Sequence, residues 1–149
     1  MSLKKDNYKS SDKKIMNFAI NLAENSKYIT GTNPSVGCVI VKNNKILSFA
    51  TTNNGGRPHA ESIALNKNRS NKGTSLYSTL EPCSHHGVTP PCTNAIIKNK
   101  VKRVYYSIED KDLRTFNKTK KILKSKKIIA ISGLQKRNVK NLYNEYNYI

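Results

Sequence analysis

Cys83 and Cys92 bracket the stretch of this 149-residue chain that leaves the least freedom in how it folds. The segment around Thr74 to Ser78 reads as a strand and leads straight into Glu81-Pro82-Cys83. Ser84 to Pro91 is a loop that closes on Pro90-Pro91. A helix then starts near Cys92 and continues through Ala95, Ile96 and Ile97, because proline is tolerated before or within a first turn. The two sulfurs therefore belong to a strand end and a helix start. Cys38 is different: it sits inside the continuous apolar run Val36 to Val41, where a free cysteine acts as a small core residue. With three cysteines, an odd number, and no apolar leader segment over Met1 to Ser11, a disulfide framework is not expected.

The remaining pattern fills in an α/β chain. From Ser11 to Lys27, Ile15, Phe18, Ala19, Leu22 and Ala23 recur at helical spacing, and Gly31 and Pro34 end the segment. Val36 to Val41 and Ile46 to Ala50 flank Lys42-Asn43-Asn44-Lys45 and read as a hairpin. A polar loop, Thr51 to Pro58, leads into a helical segment from His59 to Leu65. Strands fit Val101 to Ile108 and Lys127 to Ser132, with a lysine-rich helix from Asn117 to Ser125 between them. A weak helix runs from Val139 to Tyr148, with Leu142, Tyr143 and Tyr146 spaced to dock one face. No repeat or linker interrupts this order, which predicts one domain over residues 1–149 with helices packed on a single sheet.

The formal charge of +18 and the sequence pI of about 10.0 resemble a nucleic-acid footprint. Most of the cations are Lys, however, and Asn and Ile are abundant too, as a drift toward A/T-rich codons would produce. Lys118, Lys120, Lys121, Lys124, Lys126 and Lys127 are expected on a solvated helix face, and the basic clusters lack the aromatic interleaving that base stacking uses. A nucleic-acid partner is not expected. No apolar stretch approaches the roughly 18 residues of a membrane span, so the expected setting is soluble and cytoplasmic.

His59, Glu61, Cys83 and Cys92 carry the chemistry. Catalytic zinc takes three protein ligands and keeps one position open, and one imidazole with two thiolates is a suitable soft set, although Fe²⁺ can occupy similar sites. His59-x-Glu61 puts a carboxylate two residues from a ligand, free to move protons. The zinc deaminase signature is His-x-Glu followed by Pro-Cys-x-x-Cys; here His59-Ala60-Glu61 and Pro82-Cys83 match, while eight residues separate the cysteines. A closed structural zinc site is the competing reading, with His85 or His86 as the fourth ligand.

The expanded cysteine segment Thr79-Leu80-Glu81-Pro82-Cys83-Ser84-His85-His86-Gly87-Val88-Thr89-Pro90-Pro91-Cys92 extends the match. Together with Asn33-Pro34-Ser35-Val36-Gly37-Cys38-Val39-Ile40-Val41 and Pro58-His59-Ala60-Glu61, it closely resembles the deaminase domain of riboflavin biosynthesis. The resemblance runs from about Ile15 to Tyr146. It implies the cytidine deaminase-like three-layer α/β/α fold around a mixed sheet of about five strands. It also implies hydrolytic deamination of 2,5-diamino-6-ribosylamino-4(3H)-pyrimidinone 5′-phosphate, with zinc on His59, Cys83 and Cys92 and Glu61 as the proton-transfer residue. Asn33, His85, Thr89 and Asp110 then match substrate-binding positions. A separate reductase is the expected pathway partner, and a homo-oligomer the expected assembly.

Three positions depart from the family pattern where ribose phosphate contacts are expected. Thr52 stands in place of a His, Val88 in place of a Lys or Arg, and Asp110-Lys111-Asp112-Leu113 in place of Asp-Pro-Asn-Pro. Lys111, Arg114 or a neighbouring subunit could supply the cation. Two further readings stay open: a zinc deaminase acting on another pyrimidine, a purine or a tRNA base, and a non-catalytic zinc protein on the same scaffold.

Overall fold

Asn43 and Asn44 hold φ values of 51° and 60°, the left-handed pair that a two-residue hairpin turn demands and that Asn tolerates. We describe residues 8–144 of a computed structural model of the chain. The turn joins β1 (Gly37–Lys42) to β2 (Lys45–Thr51) in an antiparallel pair, with a bulge between Ile40 and Val41. The other edge of β1 takes β3 (Ser75–Leu80), again antiparallel. Beyond it the sheet becomes parallel, β3 pairing with β4 (Arg103–Ile108) and β4 with β5 (Ile129–Ser132), so the order is β2-β1-β3-β4-β5.

The helices are α1 (Ser10–Asn25), α2 (Ala60–Asn66), α3 (Cys92–Lys98), α4 (Thr119–Ser125) and α5 (Lys136–Asn144). Parallel neighbours need a crossover, and α3 and α4 supply the two that the sheet requires. Contacts divide the helices into two layers: α1 on β1 and β3 with α5 beside it, and α2, α3 and α4 in series from β2 to β5. Strand alternation assigns the side chains of β3 to these layers. The Tyr77 hydroxyl donates to Asp12 of α1 at 2.5 Å and Thr79 meets Tyr143 of α5 at 2.6 Å, whereas Ser78 points to Glu61 of α2. This is the three-layer α/β/α arrangement, with a mixed five-stranded sheet, that the resemblance implied.

Several boundaries shift for local reasons. The buried face of α1 centres on Met16, Ala19, Ile20 and Ala23, and Ile15, Phe18 and Leu22 form its half-buried rim. The α4 helix begins at Thr119, not Asn117, because Asn117 takes φ 58° and sends its N–H to Glu81. Val139, Leu142 and Tyr143 are buried on α5, while Tyr146 lies outside the described residues. The six lysines from Lys118 to Lys127 are all exposed, as expected of a solvated face. Among the described residues no helix is long and apolar enough to cross a membrane.

Gly37 sets the spacing between α1 and the sheet, since a Cβ there would collide with the Ala19 carbonyl. Gly37→Ala should therefore destabilise the fold by about 3 kcal/mol, the upper end for overpacking, because the obstacle is backbone and cannot rotate away. Urea unfolding of both proteins measures the difference.

Candidate metal centre and adjoining cleft

The ends of β3 and β4 and the starts of α2 and α3 meet at one point. His59 is the last extended residue before α2, with φ −71° and ψ 153°, so its ring hangs off the helix start. Cys92 opens α3 after Pro91, and its backbone N–H donates to Cys83 Sγ at 3.2 Å. His59 Nδ1 lies 3.7 Å from Cys83 Sγ and 3.4 Å from Cys92 Sγ, and the three candidate ligand atoms all fall within 4.8 Å of one another. Zn–S and Zn–N bonds of about 2.3 and 2.0 Å at tetrahedral angles require N···S edges of about 3.5 Å. The observed separations fit such an ion. His85 is turned to the Thr115 hydroxyl and His86 is exposed, so neither joins this group as a fourth ligand.

The electrostatics of the three side chains agree with a cationic occupant. A hydrogen bond from the Cys92 thiol, aided by His59 and the Cys92 N–H, holds Cys83 well below the ordinary thiol range. The same bond, together with burial, pushes Cys92 up, and the hydrogen bond to Cys83 raises His59. The three side chains thus share one hydrogen-bond network. A divalent ion would convert this network to two thiolates and a neutral imidazole, releasing protons.

Glu61 sits one turn into α2, 3% exposed, with Oε2 3.6 Å from Cys92 Sγ and Oε1 accepting from the Ser78 hydroxyl at 3.0 Å. Burial pushes its pKa up from the ordinary carboxylate range. Ser78 was not singled out in the sequence. Period-two alternation along β3 would have assigned it to the α2 layer had the register been known.

A cleft of about 390 Å³ opens from the centre and is lined by Asn33, Thr52, Arg57, His85, Asp110 and Arg114 among others. Asn33 is fixed by donating Nδ2 to the Gly56 carbonyl at 3.1 Å; Gly56 has φ 95°, and a Cβ there would strike the Asn33 side chain. His85 is oriented through Nδ1 by the Thr115 hydroxyl at 2.7 Å. Asp110 is buried at the cleft wall, whereas Thr89 is exposed and reaches the site through Arg57, which donates to its hydroxyl at 2.9 Å. The buried Thr52 hydroxyl is committed to backbone, accepting the Val36 N–H at 2.9 Å. Val88 is 84% exposed.

Glu81 organises the far wall. Its carboxylate, 2% exposed, accepts backbone N–H groups from Asp110, Asn117 and Thr119 at 3.1, 3.3 and 3.2 Å. These bonds fold the segment after β4 so that Asp110, Asp112, Arg114 and Thr115 face the cleft region. Asp112 and Arg114 form a bidentate pair, with Arg114 Nε donating at 2.9 Å and its terminal nitrogen at 2.5 Å, and this holds Asp112 down at about 2. Of the two cations suggested by sequence, Arg114 is thus tied up and Lys111 does not line the cleft.

The model described as "cytidine and deoxycytidylate deaminase zinc-binding region" matches residues 9–108. The riboflavin biosynthesis protein RibD of Aquifex aeolicus is 47% identical over 100 residues, which make up 66% of this chain and 28% of that protein. The diaminohydroxyphosphoribosylamino-pyrimidine deaminase of Buchnera aphidicola subsp. Schizaphis graminum is 40% identical over 127 residues, 85% of this chain and 86% of its own length. Among solved structures, Acinetobacter baumannii RibD superposes with a TM-score of 0.87 at 36% identity, covering 91% of this chain and 39% of that one. The chain spans about a third of the length of the RibD relatives it matches.

Burial raises Asp110 to about 6, above its unfolded value of about 3.9. The folded form therefore binds more protons between those values, and stability falls as pH rises from about 4 to about 6. Asp110→Asn keeps an acceptor for the Asp112 N–H and removes the buried charge. Its thermal midpoint should exceed that of the parent above pH 6, with the gap closing toward pH 4.

Proposed function

Because this chain belongs to the zinc-binding cytidine and deoxycytidylate deaminase family, and within it to the diaminohydroxyphosphoribosylaminopyrimidine deaminases, we propose that it removes the 2-amino group of 2,5-diamino-6-ribosylamino-4(3H)-pyrimidinone 5′-phosphate. The reaction is hydrolytic: one water is consumed, the C–N bond to the exocyclic amine breaks, and the pyrimidinedione and ammonia result. The observation that best supports it is the convergence of a three-ligand His/Cys/Cys group, a buried carboxyl at its edge and an adjoining cleft of nucleotide size.

We assign His59, Cys83 and Cys92 as the ligands. Zinc held there supplies a Lewis acid that acidifies water toward neutrality. Glu61 takes a proton from the attacking water and passes it to the ring nitrogen, then carries the remaining hydroxyl proton of the adduct to the departing amine, so the C–N bond breaks with ammonia, not an amide anion, as the leaving group. Its raised pKa suits both directions of transfer. Ser78 keeps the carboxylate on the side of the cluster. We assign Asn33, His85 and Asp110, which line the cleft, to substrate contacts, with His85 oriented by its bond to Thr115. Thr89 acts through the cysteine loop.

The product is a substrate for reduction, so a reductase on a longer or a separate polypeptide is the pathway partner, and the cytoplasm is the compartment in which both act. A deaminase for another nucleotide would use the same Glu61 chemistry and differ only along the cleft walls.

Glu61→Gln should retain about one zinc per chain and lose about 10²- to 10⁴-fold in kcat for ammonia release, the range for a positioned acid-base group. Cys92→Ser should lose the metal as well as the activity. Metal analysis beside an ammonia assay separates these outcomes. A Glu61→Gln protein as active as its parent would leave a zinc-holding scaffold with no turnover at this site.

A further inference from the structure

Arg57 lies two residues before His59 and lines the cleft, just outside the Pro58-His59-Ala60-Glu61 motif. Its guanidinium donates to the Thr89 hydroxyl at 2.9 Å, and its other terminal nitrogen would lie 3.6 Å from a Cβ placed on Gly87, which puts the guanidinium beside the cysteine loop. That same Gly87 position is 3.9 Å from the His85 ring, and His85 Nε2 is 4.0 Å from Asp112. Arg57, His85, Asp112 and Arg114 thus follow one another along one rim.

The charges on this rim are not equivalent. Arg114 and Asp112 neutralise each other in a bidentate pair. Glu81 is consumed by three backbone N–H groups. Glu61 and Asp110 both have pKa values pushed up by burial and repel an anion when ionised. Arg57 has a neutral hydroxyl partner, and among the described residues no carboxylate lies within ion-pair distance of it. Of the two arginines lining the cleft, it alone presents uncompensated positive charge, with guanidinium donors beyond the one spent on Thr89.

We propose that Arg57, steadied by Thr89, is the phosphate-recognising residue of this cleft and so sets the preference for a phosphorylated substrate. Resting on the deaminase reading, the proposal names the end of the substrate that this wall holds. The phosphate goes to the Arg57 side because the Asp110–Asp112 side offers no free cation. The Arg57–Thr89 hydrogen bond then borders the phosphate, and Val88, pointing into solvent, does not touch it.

Zinc-loaded parent, Arg57→Met and Arg57→Lys proteins should be assayed for ammonia release from the phosphorylated aminopyrimidine and from its dephosphorylated form. Binding of ribose 5-phosphate and of ribose should be measured in parallel by calorimetry. Arg57→Met should shrink the parent's preference for the phosphorylated substrate roughly 10- to 100-fold, mostly through KM, as loss of a charged hydrogen-bonded contact implies. It should weaken ribose 5-phosphate by a similar factor, with Arg57→Lys between the two. An equal loss on both substrates would make Arg57 a brace for the cysteine loop and overturn the proposal, as would no change on either. If the parent releases no ammonia but binds ribose 5-phosphate through Arg57, the subsite stands and the substrate reading falls. If it releases ammonia while ribose 5-phosphate binding ignores Arg57, the reading stands and the subsite falls.

Discussion

Three candidate ligand atoms within 4.8 Å of one another can come from three separate chain segments only if the backbone fixes each segment independently. Here a parallel strand pair does so. The β3 strand ends beside β4, Glu81 continues the ladder by donating its N–H to the Ile108 carbonyl at 2.9 Å, and Cys83 follows two residues later at a position the sheet has already set. Cys92 and His59 are placed by helix starts, where a residue has one foot in extended backbone and the next in helix. The spacing between cysteines can then vary, because the loop between them only has to return to a helix start that the crossover dictates. This is why an eight-residue gap still yields a compact cluster.

Glu81 connects that cluster to the cleft. A buried carboxylate is costly unless its lone pairs are met, and three backbone N–H groups meet them. In exchange, the irregular segment from Asp110 to Thr119 acquires one conformation without strand or long helix. Thr115 in that segment orients both the Ser84 backbone and His85, so the carboxylate governs the cysteine loop as well. The Thr119 hydroxyl donates to the Pro82 carbonyl at 2.7 Å and ties the two segments together a second time.

Much of this was legible in the chain. The hairpin, the order of helices and strands, and the His59, Glu61, Cys83 and Cys92 group all rest on local patterns or short spacings. Asn33, His85 and Asp110 line the cleft, but only the resemblance pointed to them, since a polar residue in a loop has no periodic signature. Ser78, Glu81, Thr115 and Arg57 went without a role for a common reason: each acts through a partner more than fifteen residues away. Thr52 shows the converse. It stands where the resemblance expects a His, and although it lines the cleft its hydroxyl accepts the Val36 N–H.

The overall charge of +18 explains little of the cleft's selectivity. Surface lysines such as those on α4 are solvated, and at physiological salt their field decays over about 8 Å. They raise the local concentration of any anion and distinguish none. Selectivity needs a cation whose donors are directed and whose charge is not already cancelled. The cleft meets this condition at a single guanidinium because Asp112 neutralises the other. The Asp112–Arg114 pair bears on recognition by removing a competitor: of the two arginines lining the cleft it leaves Arg57 as the one with uncompensated charge, which is what the proposed phosphate orientation rests on.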